Sequence, residues 1–471
     1  MNAQVSIVNA RIVLPEQGVH SGSLVIRDGT VAEIRSDDKV PKSERLIDAR
    51  GRYVLPGFID PHVHFGFFPP LGQRFRSESA YALSGGITML IHYLRRKESY
   101  LEIMPKLLPY IRQHLYQDFG YHLTLFTREQ ITEMPQYVND LGIRSFKLYL
   151  DRKGPLGKDS MMDLISEEET SVRGDVDIDT AHVLASFQQA SRLEDVRMNI
   201  HAEEPEIVMA ETKRVKESGL DGPIAWHAAR PGYSEAIAIH MIAELSRQFN
   251  VPVYFLHIGS KEAVAALAEA RSRCTDFAAE TGPQFAAQTI ESDAGNLTKV
   301  MPPVRTAEDQ AKVWSAVGDE LLTCLGSDHI AYTLKEKNPG NIWETKPAFG
   351  STGLMLPVFL TEGVHRGRMT IRQLAQIGSY NTARVFKLYP RKGTLLPGSD
   401  GDFVIVDPER QWKVKAEKDL SYSNFNIFEN RTMKGGADIT AVRGRVLYED
   451  GKLVSEPGHG EYINRFNARP Q

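Results

Sequence analysis

Cysteine is scarce in this chain, with only two among 471 residues. So few thiols cannot form a disulfide framework, which favours a reducing compartment, and we expect the protein to be cytoplasmic. No apolar run approaches the roughly 18 residues that a membrane-spanning helix needs, and the first residues lack the basic and apolar regions of a signal peptide. A net charge of −4 gives no reason to expect nucleic acid or an anionic membrane as a partner.

Both ends of the chain are rich in short strand patterns. Apolar and polar residues alternate in 4–14 and 22–35, with the turn pair Asp28-Gly29 inside the second run, which predicts a hairpin. Similar runs with glycine turns occupy 401–408 and 439–454. We predict that residues 1–56 and 388–471 form one small β-sandwich; the alternative is two unrelated β extensions.

The middle of the chain, residues 57–387, alternates between strand-like and helical patterns. Eight apolar runs are separated by helical segments, namely 59–64, 86–94, 121–126, 144–150, 196–203, 251–258, 277–281 and 321–328. This alternation predicts the α/β class and a closed (β/α)8 TIM barrel. A doubly wound open sheet is the alternative, but no glycine-rich dinucleotide fingerprint follows any of these runs.

Two stretches are irregular. Residues 152–179 are long for a barrel loop and follow the fourth predicted strand, on the face where such barrels carry their chemistry. They are either a lid over the site or a solvated insertion. The polar tail 457–471 is predicted to be disordered or to reach a neighbouring subunit.

A histidine pair lies at the end of the first predicted barrel strand. His62 and His64 are two residues apart, so on a strand their side chains project from the same face. Two neutral imidazoles that converge at a strand end are ligands suited to zinc and related divalent metals. The pair alone does not separate a metal site from two packed or surface histidines.

Further polar residues lie near the ends of other predicted barrel strands: Lys147 on the fourth, His201 on the fifth, His257 on the sixth and Asp328 on the eighth. A single buried polar group can be satisfied within a core. Six of them at one end of a barrel need a common partner, because unpaired buried polar groups are costly. A pair of metal ions would satisfy them.

The chain also contains an ordered set of longer motifs, from Gly57-Phe-Ile-Asp-Pro-His-Val-His64 through Ser145-Phe-Lys147, His201-Ala-Glu203 and Pro302-Pro-Val-Arg305 to Gly326-Ser-Asp328-His329. In these motifs the chain resembles the amidohydrolase superfamily, specifically its dihydropyrimidinase and hydantoinase branch of cyclic-amide hydrolases. The resemblance extends over nearly the whole length.

The resemblance implies two divalent metal ions, expected to be zinc, held by six residues: His62, His64 and Asp328 on one ion, His201 and His257 on the other, and Lys147 bridging both as its N-carboxylated derivative. It further implies that a hydroxide shared by the ions attacks the ring amide carbonyl. Asp328 would act as general base and then as general acid toward the departing nitrogen.

The match departs from the family at the substrate positions. A family tyrosine five residues after the bridging lysine is replaced by Arg152, while Tyr149 lies two residues after it. Either side chain is a candidate catalytic contact to the carbonyl oxygen; the alternative is that both are structural. A family serine before the Pro-Pro motif is replaced by Met301, and a substrate-binding asparagine falls near Pro347.

Dihydroorotases resemble the chain as well, but they carry an arginine soon after the second histidine to hold a substrate carboxylate. Here Phe67 and Phe68 lie in that region. As candidate substrate contacts they favour an apolar or aromatic substituent over a carboxylated ring. The alternative is that both pack a loop.

The sequence therefore predicts a binuclear metal hydrolase that opens a small cyclic amide, ureide or imide. Two alternatives remain: an allantoinase-like or open-chain amide hydrolase, and a non-catalytic scaffold relative, which is disfavoured because all six ligands are present. Similar proteins are commonly tetramers, so we expect a homo-oligomer, either a tetramer or a dimer.

Overall fold

A computed structural model describes residues 3–37, 39–66, 70–160, 173–273, 276–464 and 466. Its strands, in chain order, are β1 Ala3–Leu14, β2 Gly18–Arg27, β3 Thr30–Arg35, β4 Ser43–Asp48, β5 Tyr53–Pro56, β6 Phe58–Val63, β7 Ile87–Leu94, β8 Asp118–Thr124, β9 Ser145–Tyr149, β10 Lys158–Ser160, β11 Arg173–Asp175, β12 Arg197–His201, β13 Val253–Phe255, β14 Phe277–Thr281, β15 Cys324–Leu325, β16 Phe403–Lys413, β17 Thr432–Val442, β18 Arg445–Glu449 and β19 Lys452–Leu453.

The α-helices are α1 Leu71–Ser84, α2 Tyr100–Arg112, α3 Arg128–Thr132, α4 Met134–Asn139, α5 Thr180–Ala190, α6 Pro205–Glu217, α7 Gly222–Ala229, α8 Gly232–Phe249, α9 Lys261–Ala270, α10 Pro283–Ala287, α11 Ala307–Gly318, α12 Leu334–Lys337, α13 Met355–Val358, α14 Ile371–Ala375 and α15 Asn381–Val385. Within the part of the chain that the structure describes, no helix combines the length and the apolar character needed to cross a membrane.

The central sheet is an eight-stranded parallel barrel in the order β15-β14-β13-β12-β9-β8-β7-β6. All eight residues of β7 are buried, as expected for a strand covered on both faces. The ring closes between its first and last strands, where Val63 pairs with His329 and the His64 N–H donates to the His329 carbonyl over 2.9 Å. The predicted TIM barrel is confirmed, and the open doubly wound sheet is wrong.

The second sheet has nine strands and contains both ends of the chain. Its two halves meet where β5 pairs antiparallel with β16, with Val54 opposite Ile405. The predicted hairpin joins β2 to β3 through Asp28 and Gly29, both at positive φ, 49° and 78°. The small β-sandwich built from both termini is thus confirmed, while the boundaries at 56/57 and 387/388 stay a prediction.

The helices around the barrel begin at residues that suit their ends. Ser260 precedes α9, and its hydroxyl accepts the Ala263 N–H over 3.1 Å. Thr306 and Asp309 form a capping box at the start of α11. The apolar face of α9 then packs against the core through buried Ala263, Ala266 and Leu267.

The two irregular stretches are placed only in part. Strands β10 and β11 pair antiparallel within the predicted lid, whereas residues 161–172 of that segment lie outside the described residues. The polar tail was predicted to be disordered or to reach another subunit; its described part instead packs on its own barrel. The Gly458 N–H donates to the Leu115 carbonyl and the Ile463 N–H to the Phe119 carbonyl, both over 2.7 Å.

Candidate active site

Three of the predicted metal ligands converge where the barrel ring closes. His62 and His64 lie at the end of β6, and Asp328 follows β15. The Nε2 atoms of both histidines lie 3.2 Å from Oδ1 of Asp328. Burial alone would raise the pKa of Asp328, but the charge of His62 and hydrogen bonds from both histidines hold it well below its ordinary value.

The other two predicted histidines extend the same cluster. His201 ends β12 and His257 follows β13. The ring centroids of His201 and His257 are 4.6 Å apart, and those of His62 and His257 are 5.5 Å apart. The structure therefore brings all four imidazoles together at the carboxyl ends of the strands, where TIM barrels carry their chemistry.

Lys147 joins this group from the middle of β9. Its side chain is fully buried, and Nζ lies 3.2 Å from Nε2 of His62. Among the described residues no carboxylate oxygen comes within 4.0 Å of Nζ. A buried lysine beside an imidazole and without an acidic partner is costly as an ammonium, so the position disfavours the charged form of this side chain.

Two of these residues have unusual backbone conformations. His257 has φ 43° and Asp328 has φ 53°, in the left-handed region that residues other than glycine seldom adopt. Each such residue costs on the order of 1–3 kcal/mol and persists where the surroundings enforce it, which is common at functional sites. The strain therefore falls on two of the predicted ligands.

Two buried carboxylates support the first histidine. Glu280 on β14 accepts a hydrogen bond from Nδ1 of His62, and its other oxygen accepts the Tyr254 hydroxyl over 2.8 Å. Asp60 accepts the backbone N–H of His62 over 3.1 Å and that of Ser327 over 3.2 Å. These contacts fix the tautomer and direction of the imidazole, the usual role of groups behind a metal ligand.

A second ion-pair network supports His201. Its Nε2 lies 2.7 Å from Glu203 Oε2 and 3.4 Å from Asp151 Oδ2. Arg230 donates to both carboxylates, over 2.5 Å to Glu203 and 2.7 Å to Asp151. Since Nε2 is engaged on this side, Nδ1 is the nitrogen of His201 that remains to bind a metal ion.

The residues fit a divalent metal site. Ligand atoms around a tetrahedral zinc ion, with bonds of about 2.0–2.1 Å, are about 3.3 Å apart, close to the 3.2 Å between Asp328 Oδ1 and each Nε2. Nδ1 of His257 is buried and has no hydrogen-bond partner among the described residues. Imidazole and carboxylate donors suit zinc and its neighbours, and this donor set supports divalent metal binding.

Tyr149 and Arg152, the two candidates for the carbonyl contact, have different surroundings. The Tyr149 ring centroid lies 4.1 Å from Lys147 Nζ. Its buried hydroxyl has no hydrogen-bond partner in the described part of the chain. Burial would raise the pKa of Tyr149, but the positive charges of Arg95 and Lys147 lower it. The Arg152 guanidinium instead donates to Asp151 over 2.6 Å.

The predicted substrate contacts are placed less completely. Phe67 and Phe68 lie outside the described residues. Met301 and Pro347 are half-buried, on two segments that are joined because the Ala348 N–H donates to the Lys299 carbonyl over 2.8 Å.

Sequence reasoning missed the supporting acids Glu280 and Asp151. A charged residue inside the apolar run Phe277-Ala-Ala-Glu-Thr281 was a signal for Glu280, since a buried carboxylate needs a partner. Glu203 lies within the quoted motif His201-Ala-Glu203, but its contact with His201 and its ion pair with Arg230 were not anticipated.

Comparison with known proteins gives consistent matches. Residues 156–447 match the model described as the amidohydrolase family. The chain is 30% identical to L-hydantoinase of Paenarthrobacter aurescens, over 98% of either chain. It is 28% identical to D-hydantoinase of Geobacillus stearothermophilus, over 95% of this chain and 93% of that one. The solved structure of L-hydantoinase (dihydropyrimidinase) from Arthrobacter aurescens superimposes with a TM-score of 0.88 at 28% identity, over 98% of this chain and 100% of that one.

Proposed function

The chain belongs to the amidohydrolase family, and on that premise we propose that it is a metal-dependent hydrolase that opens a small cyclic amide, ureide or imide. The convergence of four imidazoles, Asp328 and Lys147 at one end of the barrel carries this proposal. Full-length similarity to proteins named hydantoinases supports a cyclic amide as the substrate class.

Two zinc ions are the proposed cofactors. His62, His64 and Asp328 would hold one ion, His201 and His257 the other, and N-carboxylated Lys147 would contribute an oxygen to each. When bound, such ions lower the pKa of a water molecule and polarise a carbonyl group. The neutral amine of Lys147 would add to carbon dioxide and lose a proton to give an anionic carbamate, so no unpaired buried cation remains.

The overall reaction adds one water molecule to the ring. The water oxygen bonds to the ring carbonyl carbon, the ring carbon–nitrogen bond breaks, and the nitrogen leaves with a proton. The products are a carboxylic acid and, on the same open chain, an amine from a cyclic amide, an amide from a cyclic imide or a ureide from a cyclic ureide. The reaction therefore requires a group that accepts a proton from the water and donates a proton to the departing nitrogen.

Asp328 is the proposed proton carrier, because it is the only amino-acid carboxylate among the six predicted ligands. Its carboxylate would take the proton from the attacking water and deliver it to the departing nitrogen, as general base and then general acid. The histidines on either side hold its oxygen in place at 3.2 Å.

Tyr149 is the proposed contact to the carbonyl oxygen. Its hydroxyl is buried next to Lys147 and has no hydrogen-bond partner among the described residues, so it is available to donate to the oxygen on which negative charge develops. Arg152 is already bonded to Asp151, and we assign it to the network behind His201.

A panel of substrates tests the proposal. Purified full-length protein, incubated with zinc and bicarbonate, would be given 5-substituted hydantoins, dihydrouracil, cyclic imides, allantoin and open-chain amides. We expect ring opening of at least one cyclic amide with an apolar substituent, abolished by a chelator and restored by zinc. Hydrolysis of open-chain amides alone, or no hydrolysis by metal-loaded protein, would contradict it.

Assembly and location also remain predictions. The expected homo-oligomer, a dimer or a tetramer, would be measured by size-exclusion chromatography with light scattering. The expected cytoplasmic location would be measured by cell fractionation.

A further inference from the structure

Lys337, at the end of the short helix α12, is a fully buried lysine with no role in the chemistry described above. Its Nζ donates to the backbone carbonyl of Ala348 over 2.7 Å and to that of Lys299 over 2.9 Å. Burial, and then the charge of Lys299, hold the pKa of Lys337 well below its ordinary value. No ion pair from Lys337 to a carboxylate occurs among the residues that the structure describes.

A buried amine costs free energy, because neutral carbonyls replace its hydration only in part. The two backbone carbonyls that this amine binds therefore indicate its structural role. The two carbonyls belong to segments nearly fifty residues apart in the chain, and the Ala348 N–H also donates to the Lys299 carbonyl, over 2.8 Å. Three hydrogen bonds thus join the two segments at one point, which we call the Lys337 junction.

Residues on both sides of the Lys337 junction are those predicted to contact the substrate. Met301 lies two residues after Lys299, and Pro347 immediately precedes Ala348. Both side chains are half-buried. The junction therefore sets the spacing between the two predicted substrate contacts.

The same junction is connected to the predicted metal ligands. Phe349 follows Ala348, and its carbonyl accepts the Ile330 N–H over 3.1 Å. Ile330 is two residues after Asp328, and the residue between them, His329, pairs with Val63 of β6. A displacement of the junction would therefore move the backbone that follows Asp328 at the mouth of the barrel. It would not act directly on the side chain of Asp328.

Backbone strain at Ala348 is an independent sign that this point is enforced. Ala348 has φ 90°, in a region that favours glycine and costs a residue with a side chain on the order of 1–3 kcal/mol. Such a conformation persists only where the surroundings determine it, and here the hydrogen bonds at both its N–H and its carbonyl do so.

We propose that Lys337 is a positioning residue that fixes the segments carrying Met301 and Pro347 at the spacing that the substrate ring requires. The inference rests on the proposed function, because it assigns these segments to the substrate-binding wall. It predicts that loss of the Lys337 amine weakens substrate binding while the metal centre stays intact.

The test compares Lys337→Met, which keeps the length of the side chain but loses its donors, with Lys335→Met at an exposed position of the same helix. On the ring that wild type opens best, we expect Lys337→Met to raise KM at least about fivefold and to change kcat by less than about twofold. Metal content should equal that of wild type. Lys335→Met should leave all three quantities unchanged.

Hydrogen exchange provides a readout that does not depend on activity. In Lys337→Met, peptides covering 296–305 and 345–352 should exchange faster than in wild type, because the amide of Ala348 loses its protection. Exchange in β9 should not change. If Lys337→Met cannot be purified folded, Lys337→Gln, which keeps an N–H donor on a shorter side chain, should show the same changes to a smaller degree.

Two results would overturn the inference. One is unchanged exchange in both peptides of a folded variant; the other is a fall in kcat with KM unaltered. If wild type opens no ring at all, the proposed function fails, and the exchange comparison still decides whether Lys337 holds the two segments together.

Discussion

Near the amino end of β8, Asp118, Asp400 and Asp402 surround Lys392, whereas at the carboxyl ends of the barrel strands His62, His64 and Asp328 form a cluster in which Lys147 contacts His62. Both clusters are buried, and each contains three side chains that could bind a metal ion. In the first, Nζ of Lys392 lies 2.6, 2.8 and 2.7 Å from the three carboxylates. The ammonium of Lys392 thus occupies the position that a metal cation would take among these three carboxylates.

The difference between these clusters lies in their counter-charge. The Lys392 cluster is further balanced by Arg443, which pairs with Asp118, and it joins β8 of the barrel to the segment before β16 of the sandwich. In the histidine cluster, Lys147 has no carboxylate within ion-pair distance among the described residues. A group of acids is therefore not enough to indicate a metal, and the chemistry of the whole donor set must be considered.

The largest expected effect comes from removing Lys147. Lys147→Ala should lower kcat/KM at least about ten-thousandfold, about 5.4 kcal/mol of barrier, because the shared ligand of both ions is lost. Short carboxylic acids added to the assay should restore part of the activity. The exposed Lys213→Ala serves as control and should behave like wild type. Full activity of Lys147→Ala without an additive would remove Lys147 from the site.

Removing the cation of the other cluster should affect stability instead. Lys392→Met leaves buried carboxylates without their ammonium, so the free energy of unfolding at neutral pH should fall by about 3–5 kcal/mol. Denaturant unfolding would measure it, with the exposed Lys418→Met as control. If Lys392→Met were as stable as wild type but had lost its bound metal, the Lys392 cluster rather than the histidine cluster would be the metal site.

The pH dependence of this loss has a definite sign. In wild type, burial would raise the pKa of Asp118, but Lys392 and Arg443 lower it to about 2. Without Lys392 the folded pKa of Asp118 should rise above the unfolded value of about 3.9, so this carboxylate destabilises the fold increasingly as pH rises through that value. The difference in unfolding free energy between Lys392→Met and wild type should therefore shrink as pH is lowered from 7 to 4.5. A difference that grows with acidity would contradict it.

The buried acid behind His62 should have an intermediate effect. Glu280→Gln keeps the shape of the side chain but loses the charge that faces Nδ1 of His62. We expect zinc affinity to fall about 10–100-fold, the usual cost of losing a group that orients a metal ligand. Competition with a chromogenic chelator would measure it, and the exposed Glu291→Gln is the matched control. Equal zinc affinity in Glu280→Gln and wild type would assign Glu280 to packing alone.

The smallest expected effect separates the two candidates for the carbonyl contact. Tyr149→Phe should lower kcat at least about tenfold, about 1.4 kcal/mol, with metal content unchanged. Arg152→Ala should lower it less, because Arg152 acts through Asp151 and the network behind His201. A larger fall in kcat for Arg152→Ala than for Tyr149→Phe would instead assign the contact to the carbonyl oxygen to Arg152.

Much of the fold followed from local pattern. The segments around His62, Lys147 and His201 are short continuous apolar runs, which is the pattern of strands buried on both faces. Because such runs alternate with helical segments, the eight-stranded barrel was predictable. The six predicted ligands meet because parallel strands place their carboxyl ends at one edge of the barrel. The resemblance to a family supplied their grouping on two ions.

The parts that could not be predicted depend on contacts between distant residues. Glu280 on β14 reaches His62 on β6, although the two residues are 218 positions apart in sequence. The tail contact at Ile463 depends on a free backbone edge of β8, which no local pattern in a polar segment reveals. The Lys337 junction likewise uses two backbone carbonyls. Every residue has a backbone carbonyl, so the sequence does not show which ones a buried lysine will bind.

Metal content of the purified protein is the most direct measurement. Elemental analysis of wild type should give about two zinc ions per chain, and Lys392→Met should retain both, because the carboxylate cluster holds none. Asp328→Asn and His201→Asn should each lose metal. Protein that binds no divalent ion under any loading condition, or an ion that is lost with Lys392 rather than with Asp328, would contradict the account.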